Sequence, residues 1–215
     1  MTSPYPKSED VASAITHGVG VLVSLVAGTV LIARVAAGGD AVRTVSAAVY
    51  VASLVVLYIA STLSHVVRAG PARARLEIFD HCAIFVLIAG TYTPFTLITL
   101  RGPLGWVLFG VVWGLAAAGV IFKLIWLERF RRFSTLVYVL MGWLILVALE
   151  PLLKTLPRSV LLWMLGGNLL YSVGLYFLID RRVHYGHAIW HVFALAGSVC
   201  HFIAVASQVL PAVVT

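Results

Sequence analysis

Five polar residues stand inside or beside apolar stretches at spacings that suit metal chemistry. Ser61 and His65, in STLSH (61–65), are four apart, and so are His187 and His191, in HAIWH (187–191). Four residues make slightly more than one helical turn, so each pair shares a face. A zinc ion needs its donor atoms about 2 Å from one point, and an i,i+4 histidine pair is a common way to supply two of them. His65 supplies a third imidazole from elsewhere in the chain. Three protein ligands leave one tetrahedral position for water, the arrangement of a catalytic zinc site and not of a closed structural one. The expected metal ligands are therefore His65, His187 and His191, with Zn2+ as the expected ion. Asp80, in FDH (79–81), and Ser61 are expected to act around them, orienting imidazoles or holding the bound water.

The elements that must position these groups follow from composition. The chain has 215 residues, is 61% hydrophobic and only 11% charged. Its mean hydropathy is +1.03. A soluble domain of this size cannot hide so much apolar surface, so lipid is the solvent for most of it. The apolar residues form long unbroken runs, not short alternating segments, which indicates spanning helices over a β-barrel. Seven runs stand out, at about 13–37, 42–67, 79–100, 104–123, 134–153, 159–179 and 186–210. Each meets or approaches the roughly 20 residues that cross the hydrocarbon core. The expected fold is a single seven-helix membrane domain, all-α, over residues 1–215.

Charge placement orients it. Ten Lys and Arg fall on the N-terminal side: Lys7, Arg68, Arg73, Arg75, Lys123, Arg129, Arg131, Arg132, Arg181 and Arg182. Five fall opposite: Arg34, Arg43, Arg101, Lys154 and Arg158. The positive-inside rule then predicts a cytoplasmic N-terminus and an outside C-terminus. The basic loops also offer some attraction for anionic headgroups. The opening MTSPYPKSED has one Lys and no small-residue cleavage site behind it, so no removable signal peptide is expected. Cys82 and Cys200 lie inside apolar spans and are expected to be buried thiols, not a disulfide. No folded soluble module presents a basic face, so nucleic acid is not an expected partner. The oligomeric state is not set by the sequence.

With this topology the polar groups fall at one depth. His17 lies near the start of the first span, Ser61 and His65 near the end of the second, Asp80 and His81 at the start of the third, and His187 and His191 at the start of the seventh. Glu9, Ser13 and His17 also repeat at i,i+4 and extend this stripe along the first span. Taken singly, an intramembrane histidine is as often a hydrogen-bonding strut between helices as a ligand. Asp80 by itself suits a helix N-terminus. Agreement of depth across four helices is what favours a site. His184 precedes the seventh span and is expected at the interface. His81 points about 100° away from Asp80 and is assigned to packing or to support of the ligands. His201 is ten residues past His191, about 15 Å deeper, and is too far to share their metal.

Other chemistries fit less well. His187 and His201 are spaced as in a membrane helix that holds two haems, but no other span carries a matching pair. HAIWH has Ala188 where a zincin needs its glutamate base, which excludes that protease chemistry. There is no phosphate-binding loop, dinucleotide fingerprint or nucleophile elbow. Histidines with an aspartate also suit a proton path, but no matched pair of broken helices suggests an alternating-access transporter.

The motifs in order, EDVASAITH (9–17), STLSH, FDH with GTYTP (90–94) behind it, and HAIWH, are together specific. In them the chain resembles the hemolysin III family, the bacterial branch of the progestin and adipoQ receptor family, within a wider group of proposed membrane hydrolases. The resemblance covers nearly the whole chain. It implies zinc on His65, His187 and His191, with Ser61 and Asp80 positioning the water that completes the site. The first motif usually has an asparagine where Ser13 stands. The resemblance further implies a multi-pass protein of the bacterial cytoplasmic membrane that hydrolyses an amide or ester in a ceramide-like membrane lipid. The alternative is a non-enzymatic, zinc-stabilised sensor or membrane-homeostasis protein in which the same ligands only tie helices together. The chain reads as a compact integral membrane protein, which does not suggest a secreted pore-former.

Overall fold

A computed structural model describes residues 6–67, 69–126, 131–180 and 182–210. Among them there are helices and no strands. The elements are α1 (Lys7–Ala37), α2 (Ala41–Val66), α3 (Pro71–Pro94) with a π-turn at Phe95–Thr99, α4 (Pro103–Trp126), α5 (Arg131–Trp143), a 3-10 turn at Leu144–Ala148, α6 (Leu149–Thr155), α7 (Arg158–Ile179) and α8 (Gly186–Val209). Among the described residues seven stretches are long and apolar enough to cross a membrane, with α5, the 3-10 turn and α6 combining into the fifth. The protein is an all-α, seven-helix multi-pass membrane protein.

The helices are not equally buried. In their 18-residue apolar centres the crossings built on α2, α3 and α8 bury 56%, 67% and 44% of residues, and the other four bury 22–28%. The outer four are therefore the lipid-facing ring, which explains why Leu22, Val26, Trp106 and Val147 lie more than 60% exposed. α1 packs on α2 and α8, α2 on α3, α3 on α4, and α7 on α8. The three inner helices are the ones that carry STLSH, FDH and HAIWH.

Close approach of α2 and α3 depends on Gly90 of GTYTP. A Cβ at this position would collide with the Ser53 hydroxyl and sit 3.5 Å from the Val49 carbonyl oxygen. Small residues let membrane helices come into such backbone contact. Gly90→Val is expected to lower stability by about 1–3 kcal/mol through overpacking, measured as a fall in the thermal midpoint of the detergent-solubilised protein. An unchanged midpoint would show that the α2–α3 contact tolerates separation.

Two details depart from the sequence reading. The fifth crossing is interrupted where a continuous run was expected. The Tyr92 hydroxyl inserts there, donating to the Met141 carbonyl at 2.7 Å and accepting from the Ile145 amide at 2.7 Å. It thereby satisfies backbone groups that the α-helical ladder leaves open. Arg73 and Lys123 count among the positive charges of the N-terminal side, yet they are 5% and 1% exposed. Arg73 is bonded to two carboxylates instead of facing headgroups, as described below. Of the other basic residues in that count, Arg68, Arg129 and Arg181 lie outside the described residues, as do the side chains of Arg131 and Arg132. Cys82 and Cys200 are both free thiols.

At the face remote from the N-terminus, Arg43 of α2 joins the ends of two helices. Its side chain donates to the Gln208 and Leu210 carbonyls at 2.8 and 3.2 Å, while its amide is capped by Asp40 at 3.0 Å. This clamp fixes the register of α8 against α2, and so the level at which His187 and His191 meet His65.

Candidate metal centre

α2 and α8 bring the three expected ligands together. The candidate donor atoms of His65, His187 and His191 all lie within 4.8 Å of one another. Their ring centroids are 4.6 to 5.0 Å apart. Tetrahedral zinc with nitrogen ligands at 2.0–2.1 Å needs donors roughly 3.3 Å apart. Small side-chain rotations span the difference.

The hydrogen bonds to these rings select the tautomer that a metal requires. His65 Nδ1 is 2.9 Å from Asp10 Oδ1. Asp10 also receives both terminal nitrogens of Arg73, at 2.9 and 3.0 Å, and Arg73 Nε donates to Glu77 at 2.9 Å. A carboxylate clamped by a guanidinium is ionised and only accepts, so His65 Nδ1 carries the proton. The lone pair is then on Nε2, the nitrogen available to a metal. A carboxylate behind a ligating imidazole is the usual device for fixing ring orientation and raising basicity. His191 Nδ1 points at the Ser13 carbonyl at 3.4 Å, a long bond that favours the same tautomer.

Glu9 acts on the third ligand through the backbone. Its carboxylate accepts from the His187 amide at 2.9 Å. α8 begins after Tyr185, which is in the left-handed region (φ 58°) and gives no side-chain cap. Glu9 on α1 therefore supplies the negative charge that a helix N-terminus favours. The adjacent acids of EDVASAITH thus point to different neighbours, Glu9 to α8 and Asp10 to α2. Further along the same stripe, His17 stacks on His191 with centroids 3.6 Å apart and planes within 8°. An imidazole binds a metal in its own ring plane. Two parallel rings 3.6 Å apart could not both direct an in-plane lone pair at one ion, so His17 would not join His191 as a ligand in this arrangement.

Asp80 and Ser61 occupy a different wall. Both line a cavity of about 1210 Å³, as do His17, His187 and His191. The Ser61 hydroxyl faces the Asp80 carboxyl, though it makes no well-formed hydrogen bond with the described residues. The carboxylate that holds an imidazole is Asp10, and Asp80 instead lines the cavity that His187 and His191 also line. His81 places Nδ1 2.6 Å from the Glu77 carbonyl oxygen and also reaches the cavity wall. His184 is exposed in the turn before α8. His201 lies apart from the three ligands, stacked on Tyr171 of α7.

A family model described as haemolysin-III related matches residues 5–202. The chain belongs to the haemolysin-III-related family. Among curated relatives, Hemolysin-3 of Bacillus cereus is 46% identical over 94% of this chain and 93% of its own length. The Hemolysin-3 homolog of Bacillus subtilis (strain 168) is 45% identical over 92% of each. More distantly, the human Monocyte to macrophage differentiation factor is 26% identical over 92% of this chain and 83% of its own. The haemolysin-III-related match thus includes every residue placed in the cluster, from Glu9 to His191.

Sequence reasoning missed Asp10 and Arg73. The sequence places Arg73 among the basic loop charges and gives Asp10, beside the Glu9 stripe, no role of its own. The signal was present as two acids just ahead of an apolar run, at the depth of the histidines, where only one was needed to favour the helix N-terminus.

Proposed function

We propose that this is a zinc-dependent hydrolase of the bacterial cytoplasmic membrane, N-terminus inside, acting on the amide or ester bond of a ceramide-like membrane lipid. The observation that carries the reading is a three-imidazole cluster, two of whose rings, His187 and His191, line a large, mainly apolar-walled cavity with Asp80 in its wall. Such a cavity suits an acyl chain, and the cluster at its mouth suits a polar headgroup. His65, His187 and His191 would hold the ion.

When bound, zinc supplies Lewis acidity, polarising a carbonyl oxygen and making water a better nucleophile. The chain's own groups do the rest. Asp10 keeps the proton of His65 on Nδ1. Ser61 orients the Asp80 carboxyl or the water beside it. An Asp80 carboxylate oxygen accepts the water proton as the new carbon–oxygen bond forms, and returns it to the leaving nitrogen or oxygen. The apolar walls keep bulk water from the reacting bond.

Lipid turnover by purified protein tests this. Asp80→Asn keeps the size of the side chain and removes the base, and is expected to cut turnover about 10²–10⁴-fold while zinc content stays unchanged. Equal turnover by wild type and variant would overturn the role of Asp80. Zinc without any lipid turnover would favour the sensor or homeostasis reading.

A further inference from the structure

The cavity does not end in hydrocarbon. It continues from the histidine cluster toward the middle of the bundle, between walls that include Leu57, Ile84, Ile88 and Met164, and there meets Asn168, Tyr171 and His201. His201 is about 15 Å beyond His191 along α8. Its ring is 6% exposed, and its Nδ1 has no hydrogen-bond partner among the described residues. The ring is held in place on two sides. It stacks on Tyr171 with centroids 5.6 Å apart and planes within 15°, and the Tyr171 hydroxyl is tied to the Ser198 hydroxyl at 2.7 Å. On the other side is Gly167, where a Cβ would come within 2.6 Å of His201 Nε2. Asn168 is anchored through Nδ2 to the Gly142 carbonyl at 3.2 Å, and its side chain makes no other hydrogen bond among the described residues.

Polar groups set rigidly at mid-membrane depth are costly unless they are matched. A plain acyl chain filling this cavity would leave His201 Nδ1 and Asn168 Oδ1 facing methylenes. A hydroxyl group matches them, because it both donates and accepts. An anion does not fit this end. Lys123 is the lysine in the wall, and it lies near the opposite end of α4, toward the N-terminal face.

We propose that the deep end of the cavity is a second polar subsite, formed by His201 and Asn168, that binds a hydroxyl group carried partway along the acyl chain of the lipid ligand. This rests on the proposed function only for which end of the lipid lies at the histidines. The separation of 15 Å along α8 places the hydroxyl roughly a dozen carbons from the headgroup.

The test compares stearamide, 12-hydroxystearamide and 3-hydroxystearamide as competitors of a fluorescent fatty acid on the purified full-length protein, before and after chelation. Wild type is expected to bind the 12-hydroxy chain about tenfold more tightly than stearamide, the worth of one or two net hydrogen bonds. The 3-hydroxy chain is expected to show no such gain. His201→Leu is expected to bring the preference close to one while stearamide still binds. If that variant does not fold, Asn168→Leu should lower the same ratio. Equal affinities in wild type, an equal gain for the 3-hydroxy chain, or a preference that survives in both variants would overturn the subsite. Because binding is read with and without metal, loss of the zinc reading alone would leave the 12-hydroxy preference in place.

Discussion

Wild-type protein purified without chelator is expected to carry about one zinc per chain, and His65→Ala, His187→Ala and His191→Ala each less than a tenth of that. The argument is the geometry of the cluster. Two of the ligands come from one face of α8, but the third comes from α2, and the donors lie within 4.8 Å of one another. Removing any one leaves two imidazoles, too few for a protein site to retain zinc through purification. Elemental analysis reads the result directly. His17→Ala is the informative control, since its ring stacks on His191 at 3.6 Å but lies out of plane for the shared cation. It should keep most of the metal. Retention of zinc in His191→Ala, or loss in His17→Ala equal to that in the ligand variants, would put the ion elsewhere.

Asp10→Ala is expected to have the largest effect of any residue outside the cluster, and through two separable routes. The first is stability. Asp10 and Arg73 have side chains only 11% and 6% exposed, and removing one partner of a buried pair leaves a charge without compensation, at a cost of about 3–5 kcal/mol. The second is metal affinity. Without the carboxylate nothing holds His65 Nδ1 as the donor, and such losses typically weaken metal binding about 10–100-fold. The double variant Asp10→Leu/Arg73→Met separates the routes. An apolar pair of similar volume is expected to recover most of the thermal midpoint, while zinc affinity stays low. Recovery of both would mean that Asp10 matters only to packing. Full zinc affinity in Asp10→Ala would remove its part in holding His65.

Resemblance and spacing both pointed to the three histidines that the structure brings together because each works through a short-range rule. An i,i+4 pair faces one way on any helix, and the positions of STLSH and HAIWH near the ends of apolar runs set their depth. Helix number was legible for a similar reason, since the bilayer demands about 20 apolar residues per crossing. The break at Leu144–Ala148 was only half legible. LILVA itself has no proline or glycine, but Pro151 follows it and cannot donate to the Val147 carbonyl four residues back. The other contribution, the Tyr92 hydroxyl between the Met141 carbonyl and the Ile145 amide, comes from some fifty residues earlier.

What the sequence by itself determined is therefore local and periodic: seven crossings, an all-α class, and three histidines brought to a common level. What only the tertiary structure decided is which neighbour each polar group meets. Glu9 and Asp10 are adjacent in sequence, and consecutive helical residues point about 100° apart. One caps α8 and the other clamps His65 because α1 lies in the groove between α2 and α8. Arg73 becomes an ion-pair partner instead of a topology signal because α3 begins at Pro71, alongside that carboxylate. His201, spaced out of reach of the three-histidine cluster, lies against Tyr171 because α7 packs on α8 across Gly167. The physical reason is common to all of these. In a membrane the apolar pattern is satisfied by lipid on almost any face, so the pattern fixes how the chain crosses but not how helices rotate against one another. That choice falls to glycine contacts and buried hydrogen bonds, whose partners come from distant parts of the chain.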